Sequence, residues 1–396
     1  MNVLTSSNTK NRELSTIKPI ILLERCYGIF RFRVDGEMCL PANRRMRIIG
    51  VLIYFFIAIF CAMLTTDFIT DSNITRFAEV APSLLIFLQY TVTIIMQLFV
   101  ENHDFVNLIT LLHDIDCSLR VNTDDDFYKK SRVETIILLS VLSVSYISLT
   151  IFDTFNEVEL KIEYFLSVII YFEIELEVLF FYILIGMLRK RVVIINRYFT
   201  RFTTQQHYMK TFKLNSYNNV YVIDDCVNFI GRASDDNMKI LDLTVTYYKI
   251  GKVCEIINRT FNSLILTTFV ASFSFIIITF WTSLYSFQSN KTYRYLLRIM
   301  VWSYTQIVAM VVLSLNCDKL LRAKEKTILL INEIVMDYDL PKCMRVQAKV
   351  FMETLKIWPL RIYVYDMFST DLQSIFKVIS LCASYLIVVI QVTHIL

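Results

Sequence analysis

Glycine and proline are scarce in this sequence, 6 and 5 in 396 residues. These two residues supply most of the local breaks in helices, so long uninterrupted helices are expected. Charge is scarce too: 19% of residues are charged, against about 25% in soluble globular domains. A chain with 55% hydrophobic residues carries more apolar surface than a water-soluble core consumes, and the surplus calls for an apolar solvent. The formal net charge of +4 is too small to imply a nucleic-acid partner. The first twenty residues lack the apolar core of a cleavable signal peptide, so the first span itself is expected to direct insertion. No phosphate loop or nucleophile motif occurs, and His103 and His113 lack the cysteine or carboxylate spacing of a zinc site. Neither enzyme chemistry nor a metal or other cofactor is expected.

What is present is a set of apolar runs. A hydrocarbon core of about 30 Å takes about 20 apolar residues in a helix, and six charge-free runs of that order occupy 48–66, 80–100, 135–152, 261–290, 299–317 and 378–396. A seventh, 164–188, is equally apolar but contains Glu173, Glu175 and Glu177. The 30 Phe and 22 Tyr suit a bilayer core and its interfaces. The predicted fold class is an all-α membrane protein of seven transmembrane helices.

Lys and Arg number 9 before the first span and then 1, 4, 1, 12, 2 and 9 between successive spans. That alternation places the N-terminus in the cytosol and the C-terminus outside the cell, in a multi-pass plasma-membrane protein. Without the longest segment the bias is still 22 against 4. Sequons at Asn73 and Asn290 fall in the external loops as glycosylation candidates, whereas the one at Asn258 falls inside. Of nine cysteines, Cys61 and Cys382 lie in spans and the rest on or beside the cytosolic side, where thiols stay reduced. This direction is opposite to that of G-protein-coupled receptors, and neither Asp-Arg-Tyr nor Asn-Pro-x-x-Tyr stands in a suitable place. The spans also lack the Gly and Pro breaks common in secondary transporters.

Four regions follow: a cytosolic N-terminal segment (1–47), spans one to six with cytosolic extensions (48–316), cytosolic anchor helices (317–371) and a last helix (372–396). Residues 101–119 carry Phe105, Leu108, Leu112, Ile115 and Leu119 at helical spacing, which predicts an inward continuation of span two. Residues 320–335 and 346–355 read as helices separated by Pro341 and ended near Pro359. Residues 203–240, rich in Asn, Asp, Ser and Tyr, read as a loop.

On the last helix Gln373, Lys377, Ser380, Ser384 and Gln391 fall within a sector of roughly 60°. A polar stripe along a span is unfavourable against lipid, so it faces protein or water. One helix cannot enclose water, but copies around a symmetry axis can, which makes an oligomeric pore the sharper reading. The plainer one has these side chains bond neighbouring helices, with Lys377 extending to the headgroups.

At these residues the chain resembles a family. The run Ser384-Tyr385-Leu386-Ile387-Val388-Val389-Ile390-Gln391-Val392 is similar to the Thr-Tyr, five apolar residues, Gln-Phe signature that ends insect gustatory receptors. Seven spans, an internal N-terminus and a near-immediate stop after the signature fit the same family. The resemblance implies a tetrameric ligand-gated cation channel whose last helices line one pore through Lys377, Ser380, Ser384, Ile387, Val388, Gln391 and Val392, with Gln391 and Val392 at the extracellular constriction. Ser384 replaces Thr and keeps the hydroxyl, whereas Val392 replaces Phe and shrinks the apolar gate residue. Related odorant receptors share the architecture. An odorant-type channel, an inverted seven-helix receptor without a pore and a transporter remain open beside the gustatory reading.

The resemblance also implies a ligand site among spans two to six toward the outside. Those outer halves carry Gln89, Tyr90, Tyr146, Tyr164, Tyr171, Glu173, Trp281, Tyr285, Trp302, Tyr304 and Gln306. Aromatic rings with a few polar tips suit a mostly apolar pocket, and packing or interfacial anchoring is the alternative role for each. Glu173 and Glu177 share one face of span four, while Glu175 points about 200° from Glu173. The expected partners are a small-molecule tastant of bitter or other plant-derived type, permeant cations, membrane lipid, and further subunits in a homotetramer or a heteromer of related receptors.

Overall fold

The structure is a computed structural model that describes residues 12–35, 38–69, 74–99, 103–121, 125–156, 162–215, 238–289, 293–340 and 342–395. Seven long helices coincide with the seven apolar runs. They are α2 (Arg44–Ile69), α3 (Ile74–Phe99), α5 (Asp125–Asn156), α6 (Ile162–Asn215), α7 (Met238–Ser289), α8 (Tyr293–Met336) and α10 (Leu372–Ile395). The remaining elements gather near the end where the Lys- and Arg-rich segments lie, called the basic end below. They are α1 (Arg12–Cys26), the hairpin β1 (Phe32–Asp35) and β2 (Met38–Pro41), α4 (Asp104–Ser118), α9 (Lys342–Ile357), and the short hairpin β3 (Tyr363–Val364) and β4 (Phe368–Ser369). The chain is an all-α membrane protein of seven spans.

Length shows how the helices divide their work. With 54 residues, α6 is about 80 Å long, more than twice a hydrocarbon core of about 30 Å. Helices α7 and α8, of 52 and 44 residues, overrun it as well. The excess forms the core of the basic end. Along α6, Leu188, Val192, Ile195 and Phe199 continue one buried stripe, and the helix runs on to Asn215 where composition from 203 onward reads as loop. Residues 216–237 of that expected loop lie outside the described set.

The predicted helix over 320–335 is the end of α8 itself, and the one over 346–355 lies within α9. On α9, Met344, Ala348, Phe351 and Leu355 form the buried face, and Phe351 meets Phe199 with ring centroids 5.2 Å apart. Asn196 locks the extensions of α6 and α8 together. Its amide donates to the Ala323 carbonyl at 2.8 Å and its Oδ1 accepts from Thr327 at 2.7 Å. The stripe over 101–119 is buried as expected, but on a separate helix: α3 ends at Phe99 and α4 starts at Asp104. Helix α4 packs its stripe on α7 and β2.

Polar joints hold the basic end. Arg191, fully buried on α6, donates to Asp116 Oδ2 of α4 at 2.5 Å and to the Met187 carbonyl at 2.9 Å. Tyr128 of α5 donates to the same Asp116 oxygen at 2.5 Å and approaches Glu13 of α1 at 3.3 Å. Four helices thus meet at one paired charge. At the other extreme, only 11% of the apolar window of α5 is buried, against 44% for α7 and 50% for α8. Helix α5 is therefore peripheral and leaves Val141, Val144, Ile147 and Ile151 exposed on the outside of the bundle.

Two of the six glycines meet each other. Gly28, at φ +83°, ends the turn after α1, and a Cβ on Gly50 of α2 would lie 2.5 Å from the Gly28 carbonyl oxygen. Backbone blocks backbone there, so neither side can yield by rotating a side chain. Gly50→Ala is expected to destabilise the folded chain by about 1–3 kcal/mol, read as a lower melting temperature of the detergent-solubilised protein; an unchanged value would show that α2 and the turn separate freely.

Candidate functional site

The half of the bundle away from the basic end encloses an aromatic cluster drawn from five elements. Tyr171 of α6 lies on Trp302 of α8 with centroids 4.2 Å apart, and Phe275 of α7 and Tyr146 of α5 stand about the pair at 6.2 Å. Tyr90 of α3, fully buried, donates its hydroxyl to the Tyr27 carbonyl at 2.9 Å. Such offset and tilted pairs are what ring quadrupoles favour.

Beside the rings lies a band of buried polar groups. Gln89 of α3 donates to Thr268 of α7 at 3.1 Å, and Ser272 of α7 donates to the Gln306 carbonyl of α8 at 2.9 Å. The Gln89 Oε1, both side-chain polar atoms of Gln306 and both carboxylate oxygens of Glu173 are buried without a hydrogen-bond partner among the described residues. Leaving such groups unmatched costs about 1–3 kcal/mol each. Three helices thus offer hydrogen-bonding capacity next to stacked rings, which is chemistry suited to a small, largely apolar molecule with polar substituents.

The eleven residues expected to contact a ligand divide into three groups. Gln89, Tyr90, Tyr146, Tyr171, Glu173, Trp302 and Gln306 are buried in or beside this cluster. Trp281 and Tyr304 are 39% and 67% exposed and face away from it; hydropathy gives depth but not the side of a helix, and these two are corrected to the outer surface of the protomer. The side chains of Tyr164 and Tyr285 lie outside the described set, as do Asn73 and Asn290. Sequence reasoning missed Tyr27, Thr268, Ser272 and Phe275. The pair Thr268 and Ser272, small hydroxyls four apart in span five, is the signal in the sequence that points to this band.

Below the cluster, the N-terminal segment enters the bundle. Arg31 donates through Nε to Glu24 at 2.9 Å and through Nη2 to both carboxylate oxygens of Glu177 on α6. Phe105, Phe180 and Phe261 surround the guanidinium, with ring centroids at 4.7, 4.8 and 5.5 Å. Burial pushes the Glu24 carboxyl up, against the pull of Arg31. Burial and then the nearby Glu173 push the Tyr27 phenol up to about 12, keeping it a donor. Arg31→Leu would strand carboxylates in the interior at a cost of about 3–5 kcal/mol. Surface expression and melting temperature should fall, and adding Glu24→Gln and Glu177→Gln should restore part of the loss; no restoration would mean the cost is lost packing against the rings.

Helix α10 is held by one narrow face. Ser374, Ile375 and Cys382 are buried, whereas Gln373, Lys377, Ser380, Ser384 and Gln391 are all exposed in the single chain. Ile387 and Val388, at 57% and 53%, are exposed as well, and the Val392 side chain lies outside the described set. Asp371 caps the helix: its Oδ1 accepts from the Ser374 amide at 3.1 Å, and its Oδ2 accepts from Ser369 at 2.7 Å. The lead-in hairpin turns through Tyr365 and Asp366, both at positive φ (44° and 57°), closed by the Met367 amide on the Val364 carbonyl at 2.8 Å, in the manner of a type I′ turn. Two side chains of α7 hold this hairpin. Asn258 Oδ1 accepts from the Tyr363 amide at 2.9 Å, and Asn262 Oδ1 from the Tyr365 amide at 2.8 Å. The Asn258 amide of the third sequon therefore serves as a clasp.

Helix α7 has two faces. Asn258, Asn262, Phe269 and Phe273 fall within about 60° of one another; Phe269 meets Phe368 at 5.5 Å and Phe273 meets Tyr385 of α10 at 5.7 Å. Thr268, Ala271, Ser272 and Phe275, which belong to the cluster or its polar band, lie on a second face centred about 120° round the helix. One rigid element therefore touches both the aromatic cluster and the last helix.

The sequence pattern of the family described as 7tm Chemosensory receptor matches residues 17–393. The fold is similar to that of the insect olfactory receptor OR5 from Machilis hrabei, solved in complex with eugenol. The TM-score is 0.53 at 14% identity, covering 95% of this chain and 97% of that one. No curated protein matches the sequence. With seven spans and a family match over almost its whole length, this chain belongs to the 7tm chemosensory receptor family.

Proposed function

We propose that this chain is a gustatory receptor acting as a ligand-gated cation channel in the plasma membrane. Four copies surround one pore lined by α10, with the basic end and N-terminus in the cytosol and the C-terminus outside. The observation that carries the reading is α10: joined to its own bundle by one narrow face, it leaves a polar stripe from Gln373 to Gln391 uncovered. Lipid is a poor cover for that stripe, and the same stripe on neighbouring copies is a good one. The signature-like ending Ser384 to Val392 supports the gustatory assignment.

A tastant seated against Tyr171, Trp302 and Gln306 shifts the bundle toward the arrangement that binds it better. Helix α7 relays the shift, because its other face carries the hairpin and the flank of α10. A second reading, an odorant-receptor-type channel, is favoured by the fold likeness to an olfactory receptor solved with eugenol. Both readings use the same cluster and pore, so the ligand separates them: currents evoked by bitter plant compounds at the taste interface support the first, and currents evoked only by volatile aromatics support the second.

Two substitutions test cluster and pore separately. Trp302→Ala removes the ring stacked on Tyr171 and should raise the half-maximal ligand concentration about tenfold, the equivalent of ~1.4 kcal/mol, with the reversal potential unchanged. Gln391→Ala should change ion permeability ratios or gating with little effect on ligand concentration dependence. Whole-cell currents from the full chain check both, and a Gln391→Ala channel with wild-type permeation and gating would remove α10 from the pore.

A further inference from the structure

A groove of about 660 Å³ opens at the basic end between α5, α6 and α8, within the roughly 300–1,000 Å³ usual for small-molecule sites. Each helix contributes one face at helical spacing. These are Asp126, Phe127, Lys130 and Glu134 on α5; Arg189, Lys190, Val193, Ile194 and Arg197 on α6; and Lys319, Arg322 and Ala323 on α8. All lie within about three turns of where the apolar runs at 135–152, 164–188 and 299–317 end. The groove therefore sits at one depth, just outside the hydrocarbon.

Its charge is unbalanced. Lys190 is paired with Glu134 at 2.5 Å and Arg322 with Asp318 at 2.7 Å. Lys130, Arg189, Arg197 and Lys319 have no ion-pair partner among the described residues, and Asp126 is the one further acid in the lining. Four converging cations from three helices, two of them guanidinium forks, match a multiply charged phosphate better than a carboxylate or a simple halide. Phe127, Val193 and Ile194 add apolar wall beside the cations, which a free phosphate would not use and an acyl-linked one would.

We propose that this groove binds the phosphorylated headgroup of an anionic lipid of the inner leaflet, a phosphoinositide, with Arg189, Arg197 and Lys319 on its phosphates. Basic pockets between spanning helices at the cytosolic boundary are the general setting for such lipids. The inner-leaflet source rests on the orientation proposed above, whereas binding itself does not, so the two fail separately. The lipid clasps α5, a peripheral span, to the α6 and α8 extensions at the level where the anchor begins.

The test uses the purified full-length protein in non-ionic detergent, titrated with dioctanoyl phosphatidylinositol 4,5-bisphosphate. Dioctanoyl phosphatidylcholine and free inositol 1,4,5-trisphosphate serve as the comparison arms. The bisphosphate lipid should bind, more weakly as salt rises, and phosphatidylcholine should not. The triple variant Arg189→Gln/Arg197→Gln/Lys319→Gln should bind the lipid about tenfold or more weakly, while Lys342→Gln/Lys349→Gln/Lys356→Gln, on the surface of α9, should bind as wild type. If the triple variant does not fold, Arg197→Gln alone, at an exposed position, should still weaken binding about threefold. Wild-type affinity in the groove variants, or equal loss in the α9 variant, overturns the site. Free inositol trisphosphate binding as tightly as the lipid overturns the lipid assignment in favour of a soluble polyphosphate.

Discussion

Arg31 can leave water only because Glu24 and Glu177 meet it on one side and three phenylalanine rings close over it on the other. A guanidinium without those partners would not be tolerated at that depth. The pairing fixes much else. It draws the N-terminal segment into the bundle, sets the turn at Tyr27 and Gly28 against α2, and brings the Tyr27 carbonyl to the Tyr90 hydroxyl at the edge of the aromatic cluster. Glu177 is thereby committed to structure, while Glu173, one turn earlier on the same face of α6, is left beside the cluster without a hydrogen-bond partner among the described residues. Two acids of similar sequence context acquire different roles because one arginine reaches only one of them.

Helix α7 carries the second organising relation. Its two faces serve different neighbours, and the neighbours are the two regions of interest. Threonine, serine and phenylalanine turn toward the cluster; asparagine and phenylalanine turn toward the hairpin and α10. The clasp at Asn258 and Asn262 is made through side-chain carbonyls to backbone amides, so it fixes the position of the hairpin and not the identity of its side chains. A small rotation of α7 about its axis displaces both faces at once.

Much of this arrangement is legible in the sequence, for reasons that can be named. The spans follow from uninterrupted apolar runs, the α4 and α9 faces from helical periodicity, and the stripe on α10 from five polar residues at one angle. Seven residues of the cluster were found by combining depth with residue type. What could not be read was azimuth and long-range partnership. Trp281 and Tyr304 sit at suitable depths, yet only the packed neighbours show that they face outward. Nothing near Arg31 in the sequence names Glu177, and the polar composition after 203 does not reveal that α6 runs on to Asn215. The periodicity over 101–119 likewise does not show the break between α3 and α4.

The Arg31 and Glu177 side chains are 146 residues apart in sequence, and that separation bears on how the protein is made. The segment that carries Arg31 leaves the ribosome well before the helix that receives it, which is the fourth of the seven spans. Until then Arg31 stays with water or with Glu24, and Glu177 must find its counter-ion among residues made long before it. Docking of this segment is thus deferred until span four is in place, a long-range closure of the kind that slows folding and exposes intermediates. A segment made early is secured late, and a chain truncated before α6 would have no seat for it.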